Sequence, residues 1–233
     1  MFHSALFDNT LQFFLKGGPF MALLLLCSFT ALTVILLRAF ALRRRAVIPP
    51  IVEREIISLK PGEAPEHLRR LAQDAESALA RIVNVAVRPG AGAKSETMEV
   101  VQSRARQEIV RMESGLFILE IVVGIAPLLG LLGAVSGLVR VFSNIGSGVM
   151  STSDLRGIAS GIGEALSTTI VGLAIAIPAL IAFSYFSRRV ERLAVEMETL
   201  LTELVDKLYH SPHSRAPGPL ARETQSSLQE IAP

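Results

Sequence analysis

The sequence predicts an all-α integral membrane protein with three transmembrane helices, the second and third of which extend into the cytoplasm. Half of the 233 residues are hydrophobic and only 19% are charged, whereas soluble domains carry about 25% charged residues. The apolar residues are concentrated in three long blocks, and charged stretches separate these blocks. Apolar blocks of this length are typical of helices that cross a bilayer.

The first block, residues 19–37, contains no charged residue. About 20 apolar residues, at roughly 1.5 Å of helix rise each, are enough to cross a hydrocarbon core of about 30 Å. The second block, residues 115–142, and the third, residues 155–186, are longer than this requirement. We therefore expect the surplus to be taken up by tilt or by helix that continues into water.

Basic residues predict the orientation of the chain in the membrane. They follow the first and third blocks and precede the second, whereas residues 143–154 contain no Lys or Arg. Because positive residues concentrate on the cytoplasmic side, the N-terminus is expected outside and the C-terminus inside. The basic residues then face anionic membrane lipid, so the net charge of +2 requires no nucleic-acid partner. A cleaved signal peptide is disfavoured, because the arginines follow the first block instead of preceding it.

These patterns divide the chain into eight segments. In order, they are a periplasmic amphipathic helix (1–18), transmembrane helix 1 (19–37), a cytoplasmic helical segment (38–114), transmembrane helix 2 (115–142), a periplasmic loop (143–154), transmembrane helix 3 (155–186), a cytoplasmic helix (187–210) and a disordered tail (211–233). The charged faces of the cytoplasmic helices are expected to be solvated surface, not binding sites.

The cytoplasmic segments are predicted to be helical, with breaks at prolines and glycines. Turns are expected at Pro49-Pro50 and at Lys60-Pro61-Gly62. Apolar residues at spacings of three and four predict a single helix over Glu66–Val87. Ser95 is expected to cap a further helix, which continues as one rod into the second block. The third block is expected to continue in the same way into the segment that follows it.

Nothing in the soluble segments predicts an enzyme, a metal site or a cofactor. Cys27 is the only cysteine and lies in an apolar helix, and the four histidines have no ligand spacing. The sequence contains no glycine-rich phosphate loop, no nucleophile elbow and no acid–base pair. The informative residues therefore lie in the membrane.

Spans two and three carry small and polar residues at helical spacing. In span two, Gly130, Gly133 and Gly137 allow another helix to approach closely, and Pro127 is expected to kink the helix. The polar face of span three contains Gly157, Ser160, Gly161, Glu164, Ser167 and Thr168. A second stripe, about a third of a turn away, contains Thr169, Gly172, Ala176 and Ala179.

Glu164 is the most informative residue, because it lies deep in an apolar block. It is about nine residues, or roughly 14 Å of helix, from the outer end of span three. A carboxylate at this depth costs several kcal/mol unless it meets water or a polar partner. Together with the hydroxyls of Ser160 and Thr168, it indicates a hydrated path or a polar contact between subunits. The alternative is that Glu164 has only a structural role and holds helices together. The sequence supports both interpretations equally.

Two longer motifs resemble those of a known family. Residues 125–137, Ile-Ala-Pro-Leu-Leu-Gly-Leu-Leu-Gly-Ala-Val-Ser-Gly, are similar to the second-span signature of the MotA/TolQ/ExbB proton channel family. Residues 161–169, Gly-Ile-Gly-Glu-Ala-Leu-Ser-Thr-Thr, followed by Gly172-Leu173 and by Ala-Ile-Pro-Ala at 176–179, are similar to its third-span signature. The three-span layout resembles the ExbB/TolQ branch of this family.

The resemblance implies a homopentamer around a central pore lined by spans two and three, in the bacterial inner membrane. Inside the pore lie helices of a single-span ExbD/TolR-like protein, and a transmembrane aspartate of that partner carries the ion. The ion is expected to be H⁺, and its flow drives relative movement of the two rings. The work then passes to a TonB-like periplasmic protein or to the Tol-Pal system.

Matched residue by residue, the resemblance assigns Glu164 and Thr169 to the ion path and to the face that meets the partner, with Thr168 and Ser160 beside them. Helix packing and kinks are assigned to Pro127, Gly130, Gly133, Gly137, Gly161, Gly172 and Pro178. The chain departs from the family at Ala134, where threonine is frequent, and this departure leaves Na⁺ open as the alternative ion. A TolQ-like subunit and a non-conducting scaffold of the same fold are the alternative functions. A small-molecule carrier is disfavoured because the sequence has no inverted repeat.

Overall fold

The computed structural model describes residues 18–88, 92–145 and 152–210, with the backbone alone described at 18, 144–145 and 152–156. Across this part of the chain all regular structure is helical, as predicted. The helices are α1 (Gly18–Ala41), α2 (Arg44–Val47), α3 (Pro50–Ser58), α4 (Glu66–Asp74), α5 (Ala78–Ala86), α6 (Lys94–Glu113), α7 (Leu116–Ile145) and α8 (Thr152–Leu208). The predicted outer helix before residue 18, the middle of the loop at 146–151 and the tail at 211–233 lie outside the described residues.

Three helical stretches are long and apolar enough to cross a membrane, which confirms the three predicted spans. They are Pro19–Ala41, Lys94–Ser143 and Gly157–Leu208. Much of their surface is apolar and open in the isolated chain: Phe29 is 72% exposed and Leu128 is 64% exposed. Large exposed apolar surface of this kind marks contact with lipid or with another protein.

The described chain forms two compact units. Of the described residues, the first contains those within 18–43 and 108–193, and the second contains those within 44–107 and 194–210. In the first unit α1 packs against α7. The buried stripe of α1 consists of Met21, Leu24, Ala31 and Val34. A helix with one face buried in protein and apolar residues on its other faces is typical of a position between protein and lipid.

The rod predicted through span two runs over Lys94–Ser143, with a two-residue turn at Ser114 and Gly115 that separates α6 from α7. The guanidinium of Arg38 fills this break and donates hydrogen bonds to the carbonyl oxygen of Met112 and to Ser114 Oγ, each at 3.3 Å. A Cβ atom on Gly115 would collide with that guanidinium. Arg38 therefore satisfies a carbonyl group in the last turn of α6, which has no partner in its own helix.

The helix that contains the third span is much longer than a bilayer requires, as predicted. Helix α8 has 57 residues and passes through Pro178 without a break. At 1.5 Å per residue it is roughly 85 Å long. Its buried apolar positions continue past the span at Val190, Leu193, Met197 and Leu201. The helical periodicity that predicted this extension therefore corresponds to a buried stripe.

The single helix predicted over Glu66–Val87 is wrong, since the chain forms α4 and α5 with a break at residues 75–77. Ser77 is extended, and its side-chain oxygen accepts a hydrogen bond of 3.1 Å from the Ala80 amide. This N-cap satisfies a donor at the start of α5 and favours a new helix over continuation of α4. The Asn84 side chain then donates to the Ala72 carbonyl at 2.8 Å and holds the two helices together.

Two further expectations concern the start of α6 and the turn after α3. Ser95 is not a cap, because α6 already begins at Lys94 and the Thr97 amide donates to the Ala93 carbonyl. The turn at Lys60-Pro61-Gly62 is confirmed, and Gly62 has a φ of +78°. A left-handed backbone of this kind favours glycine, which has no Cβ to clash.

The end of α8 is tied to α3 inside the second unit. Lys207 Nζ donates to the carbonyl oxygens of Ile56 and Ile57, at 3.0 and 2.7 Å. It also forms an ion pair of 2.6 Å with Glu203, one turn earlier in the same helix. The lysine thus caps the C-terminal end of α3, where carbonyl groups lack partners within the helix.

Candidate functional site

The closest contact between α7 and α8 is made by backbone against backbone. A Cβ atom on Gly130 would lie 2.8 Å from the Thr168 carbonyl oxygen and 3.1 Å from Thr169 Cα. From the other side, a Cβ atom on Gly172 would lie 2.6 Å from the Ala126 carbonyl oxygen. Because both distances are below ordinary van der Waals contact, only residues without a side chain fit at these two positions.

The same contact continues along both helices with small residues. A Cβ atom on Gly133 would lie 3.2 Å from Thr168 Cβ, and one on Gly137 would lie 3.1 Å from Ala165 Cβ. At the far end, a Cβ atom on Gly161 would collide with Val141. Small residues at three- and four-residue spacing therefore form a continuous packing seam, as in other membrane helix pairs.

Two neighbouring threonines on α8 face this seam in different ways. Thr169 Oγ1 donates a hydrogen bond of 3.3 Å to the Gly130 carbonyl oxygen on α7, and Thr169 is partly buried. Thr168 is 3% exposed, and its Oγ1 donates at 2.6 Å to Ala165 within α8. Thr169 is therefore the hydroxyl that bridges the two helices, and Thr168 is a packing residue.

Glu164 opens onto a pocket of about 300 Å³ between α7 and α8. Its side chain is exposed in the isolated chain. Within the part of the chain that is described, the pocket is lined by Gly133, Gly137, Arg140, Val141, Gly157, Ser160, Gly161, Glu164, Ala165 and Thr168. The structure thus brings together three of the predicted ion-path residues, Ser160, Glu164 and Thr168, around one open space.

Comparison with known proteins shows which family this chain belongs to. A sequence model of the MotA/TolQ/ExbB proton channel family matches residues 65–199. The biopolymer transport protein ExbB-like 1 of Synechocystis sp. is 34% identical over 218 residues, which are 88% of this chain and 82% of that protein. The chain belongs to the MotA/TolQ/ExbB proton channel family.

Other relatives include both ExbB and TolQ proteins. The biopolymer transport protein ExbB of Xanthomonas campestris pv. campestris is 30% identical over 162 residues, or 67% of this chain and 63% of that protein. The Tol-Pal system protein TolQ of Haemophilus influenzae is 31% identical over 121 residues, or 52% of each chain. As a member of this family with three apolar helices, the chain is an integral membrane protein.

Three of the predicted packing glycines also line the pocket, whereas other predicted residues of this MotA/TolQ/ExbB member lie apart from it. Thr169 does not line it, and the Ser167 hydroxyl donates to the Gly163 carbonyl at 2.8 Å within α8. Pro127 and Pro178 lie inside their helices. The described residues contain no group of three His, Cys, Asp or Glu side chains that could hold a metal ion.

Three pocket residues were missed by sequence reasoning: Ala165 on α8, and Arg140 and Val141 on α7. Ala165 is 2% exposed and packs against Gly137. The sequence feature that could have predicted Ala165 is its position three residues before Thr168, on the same face of α8. Arg140 follows Gly137 by three residues, so it lies on the same face of α7 as the glycines. Arg140 was not predicted because helical spacing within α7 does not show that this residue lines the same pocket as Glu164.

Proposed function

We propose that the chain is the pore-forming subunit of an inner-membrane, proton-driven motor complex of the ExbB type. Such a complex converts the proton motive force into mechanical work on a periplasm-spanning, TonB-like protein. The observation that carries the proposal is Glu164, a membrane carboxylate that opens onto the pocket between two tightly packed spans. Ionisable groups inside a membrane are costly and mark ion pathways.

The proposed complex is a ring of five copies with their α7 and α8 helices around a central pore. The tight seam supports this arrangement, because it holds the two helices of each copy as one rigid wall. An ExbD/TolR-like helix that carries an aspartate lies inside the ring. In this orientation the N-terminus is periplasmic, and the second unit lies in the cytoplasm.

The ion is proposed to be H⁺, which is transferred between the partner's aspartate and water in the pore. We assign to Thr169 a role in this proton transfer. Its hydroxyl donates a hydrogen bond to the Gly130 carbonyl. The lone pairs of that hydroxyl remain available to accept a hydrogen bond from a protonated carboxylic acid. Each proton that crosses 100 mV supplies about 2.3 kcal/mol, which is enough to break one or two hydrogen bonds between the rings.

The absence of a hydroxyl at Ala134 is compatible with proton flow. Ala134 is 6% exposed and therefore packed within the subunit. Protons travel along water and hydroxyl groups without direct coordination, whereas Na⁺ needs several oxygen ligands. The alanine therefore argues against Na⁺ as the transported ion. It does not imply that the chain is a non-conducting scaffold.

A TolQ-like subunit of a Tol-Pal system is the second candidate. Relatives named ExbB or ExbB-like match between 49% and 88% of the chain, and TolQ matches 52%. Coverage therefore does not separate the two systems. Complementation of strains that lack either system separates the two candidates, since each restores a different phenotype.

The experiment that tests the function is proton uptake into liposomes. The chain is purified together with a single-span ExbD/TolR-like protein and reconstituted in liposomes, and an interior pH dye is followed after a potential is applied. We expect uptake by the native complex and none by Glu164→Gln. Equal uptake by both would exclude Glu164 as the path, and no uptake by either assembled complex would favour the scaffold.

A further inference from the structure

Arg140 of α7 and Glu164 of α8 line the same pocket, and they are the only cation and the only acid among its described lining residues. We propose that Arg140 is the counter-ion of Glu164 within each subunit. In lipid, its guanidinium pairs with the carboxylate and keeps it ionised and directed into the pocket. Arg140 is thus a positioning residue for the ion path, and this role rests on the proposed function.

The packing seam places the two residues at the same level. Gly137 lies against Ala165, and Val141 lies against Gly161. Along α7, Arg140 lies between Gly137 and Val141. Along α8, Glu164 lies between Gly161 and Ala165. Both charged side chains therefore leave their helices between the same two contacts, on the side where the pocket is open.

The environment decides whether the pair forms. In the isolated subunit both side chains are exposed, and no ion pair within 4.0 Å joins these two described residues. Exposed ion pairs contribute little, because water solvates each charge separately. In the narrow pore of the membrane-embedded ring little water is available, and each unpaired charge becomes costly. Two opposite charges that share one pocket then stabilise each other.

The pair also solves an electrostatic problem of the proposed ring. Five Glu164 side chains around one axis repel one another, and like charges in close proximity cannot all remain ionised. One arginine per subunit supplies one positive charge for each carboxylate. The ring is then close to neutral, and its carboxylates need not bind protons to coexist.

The rival position for Arg140 is the outer lipid headgroup region. Arginine near the end of a membrane helix extends its side chain toward the interface, where phosphate groups accept its hydrogen bonds. In that case Glu164 would have no cation in its subunit. The two positions differ in the protonated fraction of Glu164, which can be measured directly.

The test is labelling of Glu164 by a hydrophobic carbodiimide, which reacts with protonated carboxylic acids. The complex with its partner is labelled in liposomes at pH 7, and the modified Glu164 peptide is quantified by mass spectrometry. Arg140→Met removes the charge and keeps an extended side chain, and Arg140→Lys keeps the charge. Glu120, at the other end of α7, serves as the internal reference.

We expect Arg140→Met to increase labelling at Glu164 at least about tenfold, since an adjacent opposite charge shifts a protonation equilibrium by one or more powers of ten. Arg140→Lys should label at nearly the native rate. Equal labelling of the native protein and Arg140→Met would overturn the proposal and favour the headgroup position.

If Arg140→Met does not assemble, the double variant Arg140→Met/Glu164→Gln decides. Removing the unpaired acid should restore assembly if the two residues are counter-ions, and continued failure would contradict the pairing. Labelling requires neither a proton gradient nor transport. An inactive complex with the expected labelling pattern would therefore refute the proposed function and leave the pair intact.

Discussion

The hydroxyl of Thr169 lies 3.3 Å from the carbonyl oxygen of Gly130, across the closest contact of α7 and α8. Gly130 makes this distance possible, because any Cβ there would meet the backbone of Thr168 and Thr169. The packing seam and the hydroxyl that joins the two helices therefore depend on the same residue. This coupling allows helix packing and ion transfer to be tested separately.

Thr169→Val is expected to abolish proton uptake while the complex still assembles. Valine keeps the shape of the side chain and loses the hydroxyl, and one hydrogen bond contributes only about 1 kcal/mol net. Uptake is measured in liposomes, and assembly by native mass spectrometry. Thr33→Val is the matched control, because the Thr33 hydroxyl donates within α1 to the Phe29 carbonyl and Thr33 does not line the pocket. Full uptake by Thr169→Val would remove Thr169 from the path.

Gly130→Ala is expected to destabilise the helix pair by about 1–3 kcal/mol, which is typical of overpacking. Its new Cβ would lie 2.8 Å from a backbone carbonyl oxygen that cannot move aside. Thermal unfolding in detergent provides the measurement. Gly124→Ala, on the same helix, is the control, because a Cβ there meets nothing within 4 Å. Equal unfolding temperatures for the two variants would show that the seam tolerates a side chain.

Glu164→Gln is expected to eliminate gradient-dependent work, and Glu120→Gln is expected to retain it. Both carboxylates are exposed in the isolated chain, but Glu164 opens onto the pocket, whereas Glu120 lies in the second turn of α7. Uptake of a TonB-dependent substrate by cells that express each variant distinguishes them. Loss of uptake in Glu120→Gln alone would move the path to the other end of α7.

Lys207→Met is expected to loosen the second unit by about 1–3 kcal/mol, since two carbonyl groups and the Glu203 carboxylate lose a charged donor. Its side chain is only 16% exposed, so water replaces the lost contacts poorly. Hydrogen exchange over residues 50–60 should accelerate. Lys94→Met is the control, because its ion pair with Asp206 is more than half exposed on both sides and such pairs contribute little. Unchanged exchange in Lys207→Met would contradict the capping role.

The sequence determined the three spans, the helical class and the positions of the small residues. These follow from local rules: span length follows from the thickness of the bilayer, and glycine spacing follows from helix geometry. It failed where a contact from elsewhere in the chain chose between two local outcomes. Arg38, 77 residues before Gly115, occupies the short turn between α6 and α7, which the sequence did not predict. At residues 75–77 the N-cap formed by Ser77 separates α4 from α5. The apolar residues of both helices follow the same helical spacing, so periodicity did not predict the break.

Only the tertiary structure decided which residues of the two spans meet. Periodicity placed Thr168 beside Glu164 on one face and Thr169 on another, but it did not show that Thr169 bonds to Gly130 or that Arg140 reaches the pocket of Glu164. The register between two helices depends on the backbone contacts along their whole seam. Helical spacing within one span contains no information about that register, because it describes each helix separately.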